Sequence, residues 1–174
     1  MTRYLILLLL LLFSTIFMAQ EAQKNPYSSM EDVETLSGIL GSAYDGISGE
    51  AGTSRQLVEM RKLYAPNAII FKNSLIKGKS SREVLTLDKF YEGMGDLRES
   101  GFFEEEINRE VRIFGNMAHV WSTYQVRHHK NGPVVRRGIN SIQLHFKDNR
   151  WWIVSWGWDG ESEENRIPAS FDSY

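Results

Sequence analysis

The side chains best suited to chemistry in this sequence gather in its C-terminal half: Arg109, Ser122, Tyr124, Asn140, Ser155 and Asp159. A carboxylate beside a guanidinium can act as an acid–base pair, the cation keeping the carboxylate ionised. Asp159 with Arg109 has that composition; a structural ion pair at the sheet edge is the alternative. A tyrosine hydroxyl and an asparagine amide donate the hydrogen bonds that an oxyanion site requires, and Tyr124 with Asn140 would supply them. Mutual satisfaction within a polar patch is the alternative for these two. Other chemistries find no foothold. His128 and His129 are adjacent, so on a strand they point to opposite faces and cannot chelate one ion together. No His, Asp or Glu cluster has metal spacing. Lys77-Gly78-Lys79-Ser80 lacks the upstream glycine of a phosphate loop. The chain has no cysteine, which excludes disulfides, thiolate catalysis and Cys-ligated zinc. No cofactor is implied.

Whether the six residues share one site depends on strand parity. From Phe102 onward the hydrophobic period alternates, and four strand-like runs follow: Phe103–Phe114, Met117–His128, Val134–Lys147 and Arg150–Asp159. Gly115-Asn116, Lys130-Asn131-Gly132-Pro133 and Asp148-Asn149 separate them with hairpin-turn chemistry. Two-residue turns at the outer two put Val111 opposite Val120, Arg109 opposite Ser122, Ile107 opposite Tyr124, Leu144 opposite Ile153, Ile142 opposite Ser155 and Asn140 opposite Gly157. The central loop must then be longer or bulged, to keep Ile142 on the face of Val120. One face becomes apolar at one end (Val111, Ile113, Ala118, Val120, Ile142, Leu144, Phe146, Trp151, Ile153). Its other end carries Arg109, Ser122, Tyr124, Asn140, Ser155 and Asp159. Burying such groups without partners costs about 1–3 kcal/mol each, so they must meet water, one another or a ligand. A half-apolar, half-polar concave face is what a small-molecule pocket looks like. The opposite face would hold Trp121, Trp152, Trp156 and Trp158, too much apolar surface to leave bare; a helix, the C-terminal tail or a second subunit should cover it, a homodimer through that face being the first choice.

The N-terminal half must cover the pocket. Val33, Leu36, Leu40, Ala43, Tyr44 and Ile47 recur at helical spacing after a capping box at Ser28 and Glu31, and Gly38 and Gly41 suggest close packing. A second capping box, Thr53 with Gln56, opens a helix carrying Leu57, Met60 and Tyr64, which Pro66 stops. Asn67–Lys72 reads as a short buried strand and 77–81 as a loop. Leu87, Phe90, Tyr91, Met94 and Leu97 mark a third helix, closing near Gly101. Tyr44 and Tyr91 would line the pocket from these helices.

Residues 1–19 carry one cation, Arg3, before an uncharged stretch too short to span a bilayer, the pattern of a cleavable secretory signal. The chain therefore divides into a signal peptide (1–19), a flexible leader (20–30), one α+β domain (31–160) and a loose acidic tail (161–174). The expected destination is the periplasm or the medium, with no membrane association after cleavage. A net charge of −2 argues against nucleic-acid or anionic-membrane binding.

Three segments carry a family resemblance. Leu63-Tyr64-Ala65-Pro66-Asn67-Ala68, Gly115-Asn116-Met117-Ala118-His119-Val120-Trp121 and Asn149-Arg150-Trp151-Trp152-Ile153-Val154-Ser155 resemble a helix-to-strand break, a central hairpin and a last strand. These belong to the nuclear-transport-factor-2-like superfamily, which includes SnoaL-like proteins, ketosteroid isomerase, scytalone dehydratase and polyketide cyclases. The resemblance spans roughly Glu31 to Gly160, about one domain. It implies a cystatin-like α+β cone: three N-terminal helices on a curved, mostly antiparallel sheet, often dimeric, with a pocket between the layers. Its catalytic members place an acid or base in that pocket, where this chain offers Asp159 at the end of the last strand. The expected function is binding of a small, partly apolar molecule. The alternatives are a cofactor-independent isomerase, dehydratase or cyclase using Asp159 with Tyr124, and a non-catalytic dimerising module.

Overall fold

The computed structural model describes residues 33–53, 57–94 and 97–172. The expected signal segment and leader and the first capping box lie outside them, and the second capping box does so in part. Helix α1 (Leu36–Ile47) is capped by Thr35, whose hydroxyl accepts from the Gly38 N–H at 3.0 Å. It buries Ile39, Leu40, Ala43 and Tyr44. Its tight contact is at Gly46, where a Cβ would lie 2.7 Å from Met60 Cγ, whereas a Cβ on Gly41 would meet nothing within 4 Å. Close packing thus falls at Gly46 and not at Gly41.

The expected layer of three N-terminal helices is not formed. Past α1 the described residues form only α2 (Leu57–Arg61), α3 (Leu87–Gly93) and α4 (Leu97–Ser100) as α-helices, and the last two lie beyond the first hairpin. That hairpin comprises β1 (Tyr64–Ile76) and β2 (Lys79–Leu85), far longer than the short strand expected. Lys77 and Gly78, both at positive φ (52° and 70°), make its two-residue turn. Pro66 lies inside β1 rather than at a helix end. It is tolerated because pairing with β2 begins only at Ile70 and pairing with β6 skips from Tyr64 to Ile69, so no ladder bond needs its missing N–H.

The meander follows as β3 (Phe103–Phe114), β4 (Met117–Arg127), β5 (Arg136–Lys147) and β6 (Arg150–Gly160). The six-stranded sheet has the order β2-β1-β6-β5-β4-β3, parallel only between β1 and β6. Both turn assignments hold: Gly115 has φ 56°, and Asp148 and Asn149 have φ 55° and 58°. Val111 faces Val120, Arg109 faces Ser122, Val120 faces Ile142 and Leu144 faces Ile153, as the turns dictate. Val120, Ile142, Leu144 and Ile153 form the centre of the core with Ile39, Leu40 and Ile70.

Two bulges break the uniform register. In β3, Ile107 is the extra residue, so Glu106 rather than Ile107 faces Tyr124. The Asn108 side chain accepts from the Arg109 N–H at 2.7 Å, diverting a ladder donor at the bulge. In β6, Val154 is the extra residue: Leu144 faces Ile153, but Gln143 faces Ser155 and Ile142 faces Trp156. An inserted residue exchanges faces for everything after it. Ser155 and Asp159 therefore lie on the outer face, while Trp156 and Trp158 lie on the inner one, the reverse of the turn-based register. The outer face keeps Trp121 and Trp152 of its four expected tryptophans.

The C-terminal segment, expected to be loose, packs on that outer face. A 3₁₀ turn, Ala169–Phe171, sets the Phe171 ring 6.1 Å from that of Trp121. The Phe171 carbonyl accepts from Thr123 Oγ1 at 2.7 Å, and Asp172 accepts from Arg137 at 2.6 Å. This cover explains how Thr123 and Gln125 are buried on the outer side.

Candidate functional site

Between α1, α3 and the inner face of the sheet lies a hollow of about 380 Å³. Its apolar walls are Ala43 and Ile47 from α1, Phe90 and Met94 from α3 and its C-cap, Leu85, Phe102, Tyr64, Trp156 and Trp158. Trp156 stacks edge-on to Tyr44 at 5.4 Å, and Trp158 lies 6.1 Å from Phe90. Its polar floor is Glu104, Tyr124 and Asn140. The β6 bulge supplies the two tryptophans, and the β3 bulge turns Glu104 and Glu106 inward beside Tyr124.

Behind the floor runs a hydrogen-bonded chain whose proton order follows from its ends. Arg109 Nε donates to Glu106 at 2.7 Å, so Glu106 is the acceptor at this end. Ser122 donates its only proton to Glu106. Tyr44 Oη, 2.6 Å from Ser122 Oγ, must then be the donor in that contact. Asn140 Nδ2 donates to Tyr44 Oη at 2.9 Å and to Glu104 Oε1 at 3.1 Å, which also fixes the orientation of its amide. The series Asn140, Tyr44, Ser122, Glu106, Arg109 is self-satisfied, and Arg109 further donates to Ser37 Oγ at 3.1 Å. Ser122 and Asn140 are almost wholly buried (0% and 1% exposed), so the middle of the series is closed to water, while its Glu106–Arg109 end is partly exposed.

Glu104 behaves differently. Burial pushes its carboxyl up to about 7, against smaller opposing effects of the Asn140 hydrogen bond and the Arg136 charge. Burial, then the neighbouring Glu104 charge, raises the Tyr124 phenol, which therefore stays protonated. The Tyr124 hydroxyl makes no hydrogen bond among the described residues. Its ring lies across Gly138, where a Cβ would sit 2.5 Å from Tyr124 Oη and 2.3 Å from the Asp159 carbonyl. Gly138→Ala is accordingly expected to cost about 1–3 kcal/mol in chemical denaturation and to shift the Tyr124 ring resonances.

Of the residues singled out from sequence, Asn140 and Tyr124 line the hollow, while Tyr44, Ser122 and Arg109 support its floor from behind. Tyr91 is core: its ring packs edge-on to Tyr64 at 6.5 Å, beneath the Arg61 guanidinium at 5.0 Å. Asp159 and Ser155 are outside the hollow, and the expected Asp159–Arg109 pair is replaced by Glu106–Arg109. Asp159 instead borders a groove of about 370 Å³ on the outer face, between the sheet and the C-terminal segment. Its Oδ1 is enclosed there without a hydrogen-bond partner among the described residues. Glu104, Arg136, Lys72 and Lys89, all bordering the hollow, were not singled out. Glu104 stands in the Glu104-Glu105-Glu106 run at the start of β3, which as sequence looks like a solvated acidic stretch, and alternation within that triplet is the one signal available.

No protein-family model matches this sequence, and no curated protein matches it significantly. Solved structures do share its architecture. A protein of unknown function with a cystatin-like fold from Nostoc punctiforme superposes with a TM-score of 0.54 at 6% identity, over 72% of this chain and 87% of its own. A nuclear-transport-factor-2-like protein of unknown function from Methylobacillus flagellatus gives 0.51 at 17% identity, over 77% and 95%. A candidate scytalone dehydratase from Novosphingobium aromaticivorans gives 0.52 at 12% identity, over 71% and 80%. At these identities the likeness is one of fold.

Proposed function

From a chain with the cystatin-like, nuclear-transport-factor-2-like α+β fold, and with a hollow between its layers, we propose an exported binding domain for a small, partly apolar molecule. The observation that carries this reading is the composition of the hollow: aromatic walls around a floor of Glu104, Asn140 and a Tyr124 hydroxyl with no hydrogen-bond partner among the described residues. A cavity of about 380 Å³ suits a compact ring system or short chain bearing one or two polar atoms. Export rests on the sequence of residues 1–19 alone. Thermal-shift screening against lipidic and aromatic metabolites tests the binding reading. A ligand at a hundred times its Kd should add about 2.7 kcal/mol to stability. Tyr124→Phe is expected to weaken such a ligand about fivefold with little change in the unliganded melting temperature, since one neutral hydrogen bond is worth about 1 kcal/mol. Hits that bind Tyr124→Phe and the parent equally would count against the floor as the recognition element.

Glu104 supports a second reading, an acid–base isomerase or dehydratase, with this carboxyl in the role the sequence gave to Asp159. A group titrating near neutrality can both accept and return a proton, and Tyr124 stands on the same floor as a hydrogen-bond donor. Turnover surviving Glu104→Gln would end that reading and leave binding untouched. The dimeric reading is supported by less surface than the sequence suggested, because Trp156 and Trp158 face inward and Trp121 lies against Phe171.

A further inference from the structure

We propose that the molecule held in this hollow is an organic anion: a flat apolar body lying between the aromatic walls, with its charged head at a rim formed by Lys72, Lys89 and Arg136. This rests on the hollow being a binding site and adds the chemical class of its occupant.

The charge distribution carries the inference. The chain as a whole is mildly acidic, with a net charge of −2, yet three cations and one exposed acid, Glu83, border this opening. Lys72, Lys89 and Arg136 are all exposed, and none of them makes an ion pair among the described residues. Of the partly buried arginines elsewhere, three are neutralised, Arg109 by Glu106, Arg127 by Glu105 and Arg137 by Glu161 and Asp172, while Arg150 donates to the Lys62 and Trp151 carbonyls and lies over the Trp152 ring. Lys72 stands directly across from Glu83 in the β1–β2 ladder, but no ion pair joins them. The three cations come from separate elements, β1, α3 and β5, so the fold rather than a local basic run brings them to one rim. Arg136 lies over the Phe102 ring at 5.8 Å from its centroid, which joins the charged rim directly to the apolar wall.

Like charges gathered at a low-dielectric opening concentrate the field there and raise the local concentration of a counter-charged ligand. The deep end works in the opposite sense. Glu104 and its neighbour Asn140 would repel or fail to pair a second anionic group but can bind a neutral hydroxyl or carbonyl. The arrangement thus sets a polarity for the ligand, neutral end inward and anionic end outward.

Two fluorescent probes of nearly identical skeleton separate charge from shape: 8-anilinonaphthalene-1-sulfonate and the uncharged N-phenyl-1-naphthylamine. The full-length mature chain is titrated with each at low salt, with competition between them to establish a shared site. The sulfonate is expected to bind at least tenfold more tightly. That preference should fall below threefold in Lys72→Gln/Lys89→Gln/Arg136→Gln, and likewise in 0.5 M sodium chloride, which screens exposed charges. Equal affinities, or a preference that survives the triple substitution, would overturn the anion assignment while leaving the hollow as a binding site. Failure of both probes to bind would remove the site and the assignment together. All three substitutions are at exposed positions, and an unchanged melting temperature verifies that each variant is folded.

Discussion

Asn140→Ala is expected to destabilise the fold by about 3 kcal/mol in urea denaturation at neutral pH. The side chain is almost wholly buried and donates to two acceptors on different elements, Tyr44 Oη on α1 and Glu104 Oε1 on β3. Removing it strands both acceptors and leaves a void beside α1. An unsatisfied buried polar group costs about 1–3 kcal/mol, and the void adds to that. Ser122→Ala should cost less, because Tyr44 and Glu106 then lose only one short link of the same chain. A loss below 1 kcal/mol for Asn140→Ala would mean that water enters and replaces the amide. The floor would then be softer than the bond geometry implies.

Glu104→Gln should have the opposite sign and depend strongly on pH. The folded state holds the Glu104 proton up to about 7, whereas the unfolded chain releases it near the ordinary glutamate value of 4.5. Native protein therefore binds more protons across that window, and stability falls as pH rises through it. The contribution is fully present below 4.5 and lost above 7, an amount of about 3 kcal/mol at one pKa unit per 1.4 kcal/mol. Glutamine stays neutral throughout and its amide oxygen can still accept from Asn140. The variant should match the parent at pH 4 and exceed it by about 3 kcal/mol at pH 8, so the difference between the two isolates this one group. A parent and variant that track each other from pH 4 to pH 8 would place Glu104 in contact with solvent. The energetic cost of keeping a carboxylate in this position is also a reason to regard it as functional rather than structural.

Much of this arrangement was legible in the sequence. The four meander strands, their two tight turns and the face shared by Arg109, Ser122, Tyr124 and Asn140 all followed from alternation and turn chemistry. Tyr44 was legible as an inward-facing helical residue that meets them. What failed was whatever lay beyond a bulge. A register counted outward from a turn is right until one residue is inserted, and then every later side chain is assigned to the wrong face. Val154 inserts between Ile153 and Ser155, and so exchanged Asp159 for Trp158 and Ser155 for Trp156. Ile107 did the same to the start of β3 and hid Glu104 in an apparently solvated acidic run. The bulge at Ile107 had a local hint in Asn108, whose side chain competes for a ladder N–H, while Val154 gave no comparable sign. The helices were misjudged for a different reason. Lys77-Gly78 is a hairpin turn flanked by polar residues on β2, so β2 showed no apolar alternation to detect. Helical spacing from Leu87 to Leu97 concealed a break at Met94, the C-cap of α3.

The five tryptophans offer the most direct test, because their indole N–H resonances report separately on the two faces of the sheet. Titration of the labelled protein with N-phenyl-1-naphthylamine should shift and saturate the Trp156 signal, with Trp158 following. Trp152 and Trp121 should stay in place. Movement of Trp121 with Trp156 unperturbed would put the ligand in the outer groove beneath Phe171 and contradict a binding site between the helices and the sheet.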